Sequence, residues 1–126
     1  MTSLESIARE RAEASGGQIL VLGIEDRQAL VTLEQEIFPE DPWNTGMIAQ
    51  ELSSGRSVYF GVCVNDDAVA PPVLCGYAGI ALGIDADVMT MGVLPDFRGR
   101  GLGRVLMDAL IDVARRWGSE RVFLEV

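Results

Sequence analysis

Arg98-Gly99-Arg100-Gly101-Leu102-Gly103-Arg104 (RGRGLGR) is the stretch on which the reading of this chain turns. It follows an apolar run, Val88 to Leu94, with Pro95 in between, and it opens a strongly periodic apolar segment. The window holds three glycines and three of the ten basic residues of the chain, all of which are arginine. A strand, a turn stripped of side chains and a helix start, in that order, make an anion cradle. Backbone N–H groups at a helix N-terminus point outward and carry a positive partial charge. Arginine forks around the rim would grip phosphate oxygens.

Working outward, the segment 102–117 is the clearest helix. Leu102, Val105, Leu106, Ala109, Leu110, Val113 and Trp117 recur at three and four, and Gly118 is a C-terminal stop. Arg121 to Val126 (RVFLEV) then begins a strand. Upstream, Gly83 to Asp87 reads as a turn into the strand 88–94, and Val73 to Leu82 as a long, nearly all-apolar strand covered on both faces. Asn65 to Pro72 (NDDAVAPP) is a turn or surface insertion, and Val58 to Val64 alternates as a strand. Gln18 to Ile24 is a first strand. A helix opening at Glu25-Asp26 is expected to place Ala29, Leu30, Leu33 and Ile37 on one face. Phe38-Pro39-Glu40-Asp41-Pro42-Trp43-Asn44 breaks it, because neither proline can continue a helix. A short helix, 45–53, follows, with Met47, Ile48 and Leu52 apolar. The order β-α-α-β-β-β-α-β implies a mixed sheet covered by helices, an α/β (α+β) class. Residues 1–17 are expected to be a flexible lead-in, and 18–126 a single domain.

The 126 residues carry a net charge of −9, from 19 acidic against 10 basic side chains. That balance disfavours direct nucleic-acid binding, which needs a basic face, and suits a cationic partner or plain solubility. No apolar run approaches the ~20 residues of a membrane span, and no signal-type apolar core opens the chain, so the cytoplasm is expected. The chain has no His and no Lys. A His base, a His-ligated metal, a Schiff-base lysine and a Lys-containing P-loop are thereby excluded within it. Cys63 and Cys75 stand alone in strand-like runs and read as two buried small hydrophobes, without metal-ligand spacing.

Three readings compete for the glycine loop besides a plain turn with solvated arginines. The Walker type lacks its Gly-Lys-Ser/Thr. A GxGxxG counted from Gly99 puts Arg104 at its third glycine, and counted from Gly101 puts Leu106 there. Pro95-Asp96-Phe97-Arg98 also lengthens what should be a tight strand-to-helix turn, although Glu125 stands where a ribose-binding acid would, which keeps that reading open. The third reading fits best. Arg98-x-x-Gly101-x-Gly103 is similar to the Arg/Gln-x-x-Gly-x-Gly/Ala signature of the GNAT N-acetyltransferases, in the same strand-loop-helix setting. The resemblance runs from the first strand to the fifth and implies the GNAT acyl-CoA N-acyltransferase fold, a mostly antiparallel mixed sheet flanked by helices. It implies acetyl-CoA as co-substrate, with no metal. Met91, Gly92 and Val93 would supply strand contacts to the pantetheine arm, and Arg98, Gly99, Arg100, Gly101, Leu102, Gly103 and Arg104 the pyrophosphate loop.

Phe38-Pro39-x-x-Pro42-Trp43 and Leu124-Glu125-Val126 resemble the ribosomal-protein-alanine N-acetyltransferases (RimI type) within that family. The resemblance implies acetyl transfer to the N-terminal α-amine of a protein, an N-terminal alanine of a ribosomal protein in that branch. Another amine (a lysine side chain, a polyamine, an aminoglycoside) and a non-catalytic acyl-CoA-binding module are the alternatives. Glu125 is the expected general base, and partial desolvation among Val122, Phe123, Leu124 and Val126 would raise its pKa toward a useful range. An α-amine of pKa about 7.7–8.0 is largely ammonium at neutral pH and must lose a proton before attack. Glu40 and Asp41 would attract the cationic N-terminus, and Trp43 would either pack against the peptide or plug the sheet. The family continues after its fifth strand with an Asn-containing turn and a helix carrying a Tyr acid. This chain ends at Val126, and neither Tyr59 nor Tyr77 matches that position. A chain stopping there is expected to be a fragment of a longer protein; as a full-length protein it would expose a strand edge and be poorly stable or aggregation-prone.

Overall fold

A strand with both faces covered should be apolar at every position, and β3 (Val73–Ala81) is buried continuously from Cys75 to Ile80. The computed structural model describes residues 17–65 and 72–124. Around β3 the sheet runs in the order β1-β2-β3-β4-β5, with β1 (Gly17–Leu22), β2 (Ser57–Val64), β4 (Asp85–Val93) and β5 (Arg121–Phe123). The first three pairings are antiparallel and β4–β5 is parallel, joined by a helical crossover. Most of the expected lead-in and the insertion 66–71 lie outside the described residues, while Gly17 already pairs as the first residue of β1.

Two helices, α1 (Arg27–Ile37) and α2 (Thr45–Ser53), cover one sheet face, and α3 (Leu102–Trp117) covers the other. The larger core joins Val62, Cys75, Ala78 and Ile80 of the sheet to Leu102, Leu106, Leu110 and Ala114 of α3. The smaller one joins Leu30, Val31 and Leu33 of α1 and Ile48 of α2 to Tyr59 and Tyr77. Asn44 starts α2 as its N-cap, its side chain accepting from the Met47 N–H at 2.9 Å. Tyr59 spans the α1/α2 face, its hydroxyl donating to Glu51 Oε1 at 2.7 Å. Burial first, and the Glu51 carboxylate second, push that phenol well above its ordinary range, so it stays a donor.

Several sequence expectations are corrected. A short 3-10 turn, Ile24–Asp26, precedes α1, so the α-helix begins at Arg27. Ala29 is exposed, and Val31 and Glu34 are buried instead, a rotation of the buried face of α1. Trp117 is 54% exposed and Ala114 takes its place inside. Cys63 is only half-buried, whereas Cys75 is buried. β4 starts at Asp85 rather than Val88, because Asp85-Ala86-Asp87 is the part that pairs with β5. Ala86 points inward, fully buried, between two exposed aspartates.

Leu106 is fully buried in the larger core. Leu106→Ala is expected to lower the unfolding free energy by about 2–5 kcal/mol, read from the urea midpoint at constant slope.

Candidate functional site

β5 pairs with β4 only over Asp85–Asp87, so the remainder of β4 has an open edge toward that side among the described residues. The short ladder is clipped at its base: Glu120 N–H donates to Ile84 O at 2.8 Å, Ser119 Oγ to Gly83 O at 2.6 Å and Arg121 Nε to Asp85 Oδ1 at 2.6 Å. The last of these is solvent-exposed and adds little stability. At the other end of β4, Leu94 N–H donates to Cys75 O of β3 at 2.7 Å. Strand backbone groups alternate sides, so the N–H and C=O of Met91 and Val93 face the open edge, and those of Gly92 face β3. In keeping with this, the Val93 carbonyl accepts from Arg98 Nε at 3.0 Å across that edge. An extra residue in β4, Met89, sits opposite the Gly79/Ile80 step, a bulge that re-aims the strand just before this stretch.

Gly92 contributes through its missing side chain. A Cβ there would stand 2.6 Å from Ile37 Cγ2 and 3.2 Å from Phe38 Cζ, so glycine lets the end of α1 close over β4. Beyond β4, a 3-10 turn at Pro95–Phe97 leads into the glycine loop. Gly99 (φ +83) and Gly101 (φ +81) occupy the left-handed region that disfavours any Cβ. Gly101 is the N-cap of α3 and has no side chain to cap it; Val105 N–H is the first to reach back, to Gly101 O at 3.2 Å. The N–H groups of Leu102, Gly103 and Arg104 therefore have no intrahelical acceptor. A Cβ on Gly103 would meet nothing within 4 Å, so the space beside this first turn is open.

These pieces enclose one groove of about 460 Å³, lined by Ile37, Phe38, Met91, Gly92, Val93, Phe97, Arg98, Gly99, Gly101, Leu102 and Gly103. Most of the residues singled out from the sequence thus meet in one place. Arg100 and Arg104 are exposed and stand outside the lining; the Arg100 guanidinium lies 5.2 Å over the Phe97 ring. Glu40 and Asp41 are exposed on the loop after α1, also outside the lining. Trp43 packs half-buried against the smaller core, the plug arrangement. Glu125, the expected base, lies outside the described residues.

Glu34 is the functional-looking residue that the sequence reading passed over. It is 3% exposed, and its Oε1 accepts the Trp43 N–H at 3.1 Å, while Oε2 is buried with no hydrogen-bond partner. Burial pushes its carboxyl above the ordinary value of 4.5, partly offset by the Trp43 N–H. Its position four after Leu30, on the inner face of α1, was the available signal.

Residues 27–126 match the model of the acetyltransferase (GNAT) family. The chain belongs to that family. A GNAT relative, the N-alpha-acetyltransferase RimI of Mycobacterium tuberculosis, is 38% identical over 107 residues, which cover 80% of this chain and 62% of that protein. Among solved GNAT structures, the ribosomal-protein-S18-alanine N-acetyltransferase of Escherichia coli superposes with a TM-score of 0.75 at 26% identity, over 87% of this chain and 66% of that one. The aminoglycoside acetyltransferase AAC(6')-Iy, in complex with a CoA-linked bisubstrate analogue, shares the fold at a TM-score of 0.71 and 16% identity, over 87% of this chain and 79% of that one. The chain thus spans less than two thirds of the length of the mycobacterial relative. No helix among the described residues is long and apolar enough to cross a membrane.

The raised Glu34 carboxyl sets a direction for stability. Folding favours its protonated form, so that contribution is complete below pH 4.5 and drains away as pH rises through the raised value. The unfolding free energy of the wild type minus that of Glu34→Gln is therefore expected to fall as pH rises above 4.5, checked by urea titrations at a series of pH values. A difference that rises with pH would overturn the assignment.

Proposed function

We propose that this GNAT chain binds acetyl-CoA in the groove between β4 and α3 and transfers its acetyl group to an amine, with the N-terminal α-amine of a protein as acceptor. The observation that carries this reading is the uncapped N-terminus of α3, approached through two left-handed glycines, beside the open edge of β4. Three free N–H groups at the positive end of a helix suit a pyrophosphate, and the open space at Gly103 leaves room for it. Arg98, already at the groove wall, adds a fork for phosphate oxygens. Met91 and Val93 supply strand N–H and C=O groups to an extended pantetheine amide.

Acetyl-CoA brings an activated thioester, so much of the rate would come from holding the two reactants in line. An open-edge N–H near Val93 that the pantetheine arm leaves unused would be the donor for the oxyanion that forms when the amine attacks the carbonyl carbon. The new C–N bond forms, the C–S bond breaks, and the sulfur leaves as thiolate. Glu125 is the base assigned to the ammonium proton, directly or through a water; without His or Lys in the chain a carboxylate is the natural candidate. The similarity to the Escherichia coli ribosomal-protein-S18-alanine N-acetyltransferase, together with Phe38-Pro39-x-x-Pro42-Trp43, supports an N-terminal alanine of a ribosomal protein as acceptor, and such an acceptor would put the reaction in the cytoplasm. Glu40 and Asp41 would meet its positive charge at the rim.

Thiol release with acetyl-CoA and a peptide beginning with Ala tests the reaction. Turnover with a polyamine or aminoglycoside but not the peptide would move the acceptor assignment, and binding without any turnover would leave an acyl-CoA-binding module. Gly103→Val puts its Cβ where no neighbouring atom lies within 4 Å, so it is expected to leave Tm near that of the wild type while weakening acetyl-CoA binding by about tenfold or more in calorimetric titration. Unchanged affinity would count against the pyrophosphate assignment. Glu125→Gln is expected to cut kcat by about 10²-fold or more with acetyl-CoA affinity retained.

A further inference from the structure

The loop between α1 and α2 is short of internal hydrogen bonds, since Pro39 and Pro42 have no N–H to give. Both of its ends are nevertheless held by one residue. The Phe38 N–H donates to the Glu34 backbone carbonyl at 2.8 Å, and the Trp43 N–H donates to Glu34 Oε1 at 3.1 Å. Glu40 and Asp41 lie between these two anchors, exposed. Phe38, at one anchor, lines the groove against Gly92, and Trp43, at the other, packs into the smaller core. An apolar side chain at position 34 would suit that core better, because a carboxyl there leaves Oε2 buried and unpartnered. The carboxyl is thus retained at a cost that the packing of α1 does not require.

We propose that Glu34 is a positioning residue for the acceptor: it clamps the loop 38–43 into one shape and so fixes where Glu40 and Asp41 meet an incoming amine. This rests on the acetyl-transfer reading, with the loop as one wall of the acceptor path. Glu34 touches neither reactant. Its effect travels through the Trp43 backbone, and the acetyl-CoA end of the groove, built by β4 and the glycine loop, is independent of it.

Two measurements on the full chain test the clamp. Glu34→Met removes the acceptor oxygen at similar volume, and Glu34→Gln keeps one. With Glu34→Met, hydrogen exchange at the Trp43 amide is expected to quicken by about tenfold, and KM for an Ala-starting peptide to rise by about fivefold or more, with the affinity for acetyl-CoA within about twofold of wild type. Glu34→Gln should restore both readings. If Glu34→Met does not fold, Glu34→Asp, which withdraws the carboxyl by one methylene, is expected to give the same split. An unchanged Trp43 amide, a parallel loss of both substrates, or a Glu34→Gln that behaves like Glu34→Met would each overturn the proposal. Should the wild type acetylate no amine, the catalytic reading fails at that point, and the clamp is still judged by the Trp43 amide.

Discussion

The structure depends on a pairing that stops. β5 lies along β4 for three residues, held there by the Glu120 and Ser119 hydrogen bonds to Ile84 and Gly83, and contributes nothing along the rest of β4. Backbone N–H and C=O groups on a strand edge must find partners, and an edge left open inside a fold is a template for another extended chain. Here the open stretch ends against the N-terminus of α3, where another set of backbone N–H groups has no intrahelical acceptor and no side-chain cap. Two incomplete hydrogen-bonding systems, one linear and one focused, meet in a single groove. β1 to β4 are paired side by side, and among the described residues it is the β4–β5 pairing that stops short beside the groove.

The walls of that groove are steric as much as polar. Gly92 brings the end of α1 onto β4, and the bulge at Met89 turns the strand just before it. Glu34 then ties the loop beyond α1 back to that helix. The groove is therefore divided between two packing systems: the larger core under α3 supports the glycine-loop end, and the smaller core under α1 and α2 supports the opposite wall.

Local chemistry is why so much was legible beforehand. The period-3.6 pattern of α3, the all-apolar run of β3 and the prolines that separate α1 from α2 each act within a few residues, and the structure repeats them with small shifts of boundary. Asp85-Ala86-Asp87 was misjudged because its acidic flanks look like a turn; burial of Ala86 against the core and pairing with β5, some 36 positions away, decide otherwise. Ala29 and Val31 exchanged places for a similar reason, since the rotation of a short helix is set by what it packs on. Glu34 was missed because a lone glutamate within a helix reads as solvated until its depth is known.

By itself, the sequence determined the order of elements, the glycine loop with its left-handed positions and the absence of any His or Lys chemistry, because each rests on residue type and short spacing. Only the tertiary structure decided which backbone groups are free. The outward N–H of Val93, the inward N–H of Gly92, the Arg98 contact to the Val93 carbonyl and the buried Glu34 carboxyl under Trp43 all depend on partners distant in the chain or on register within the sheet. Hydrogen-bond vacancies are a property of the assembled fold: they are what remains after every other strand and helix has taken its partners.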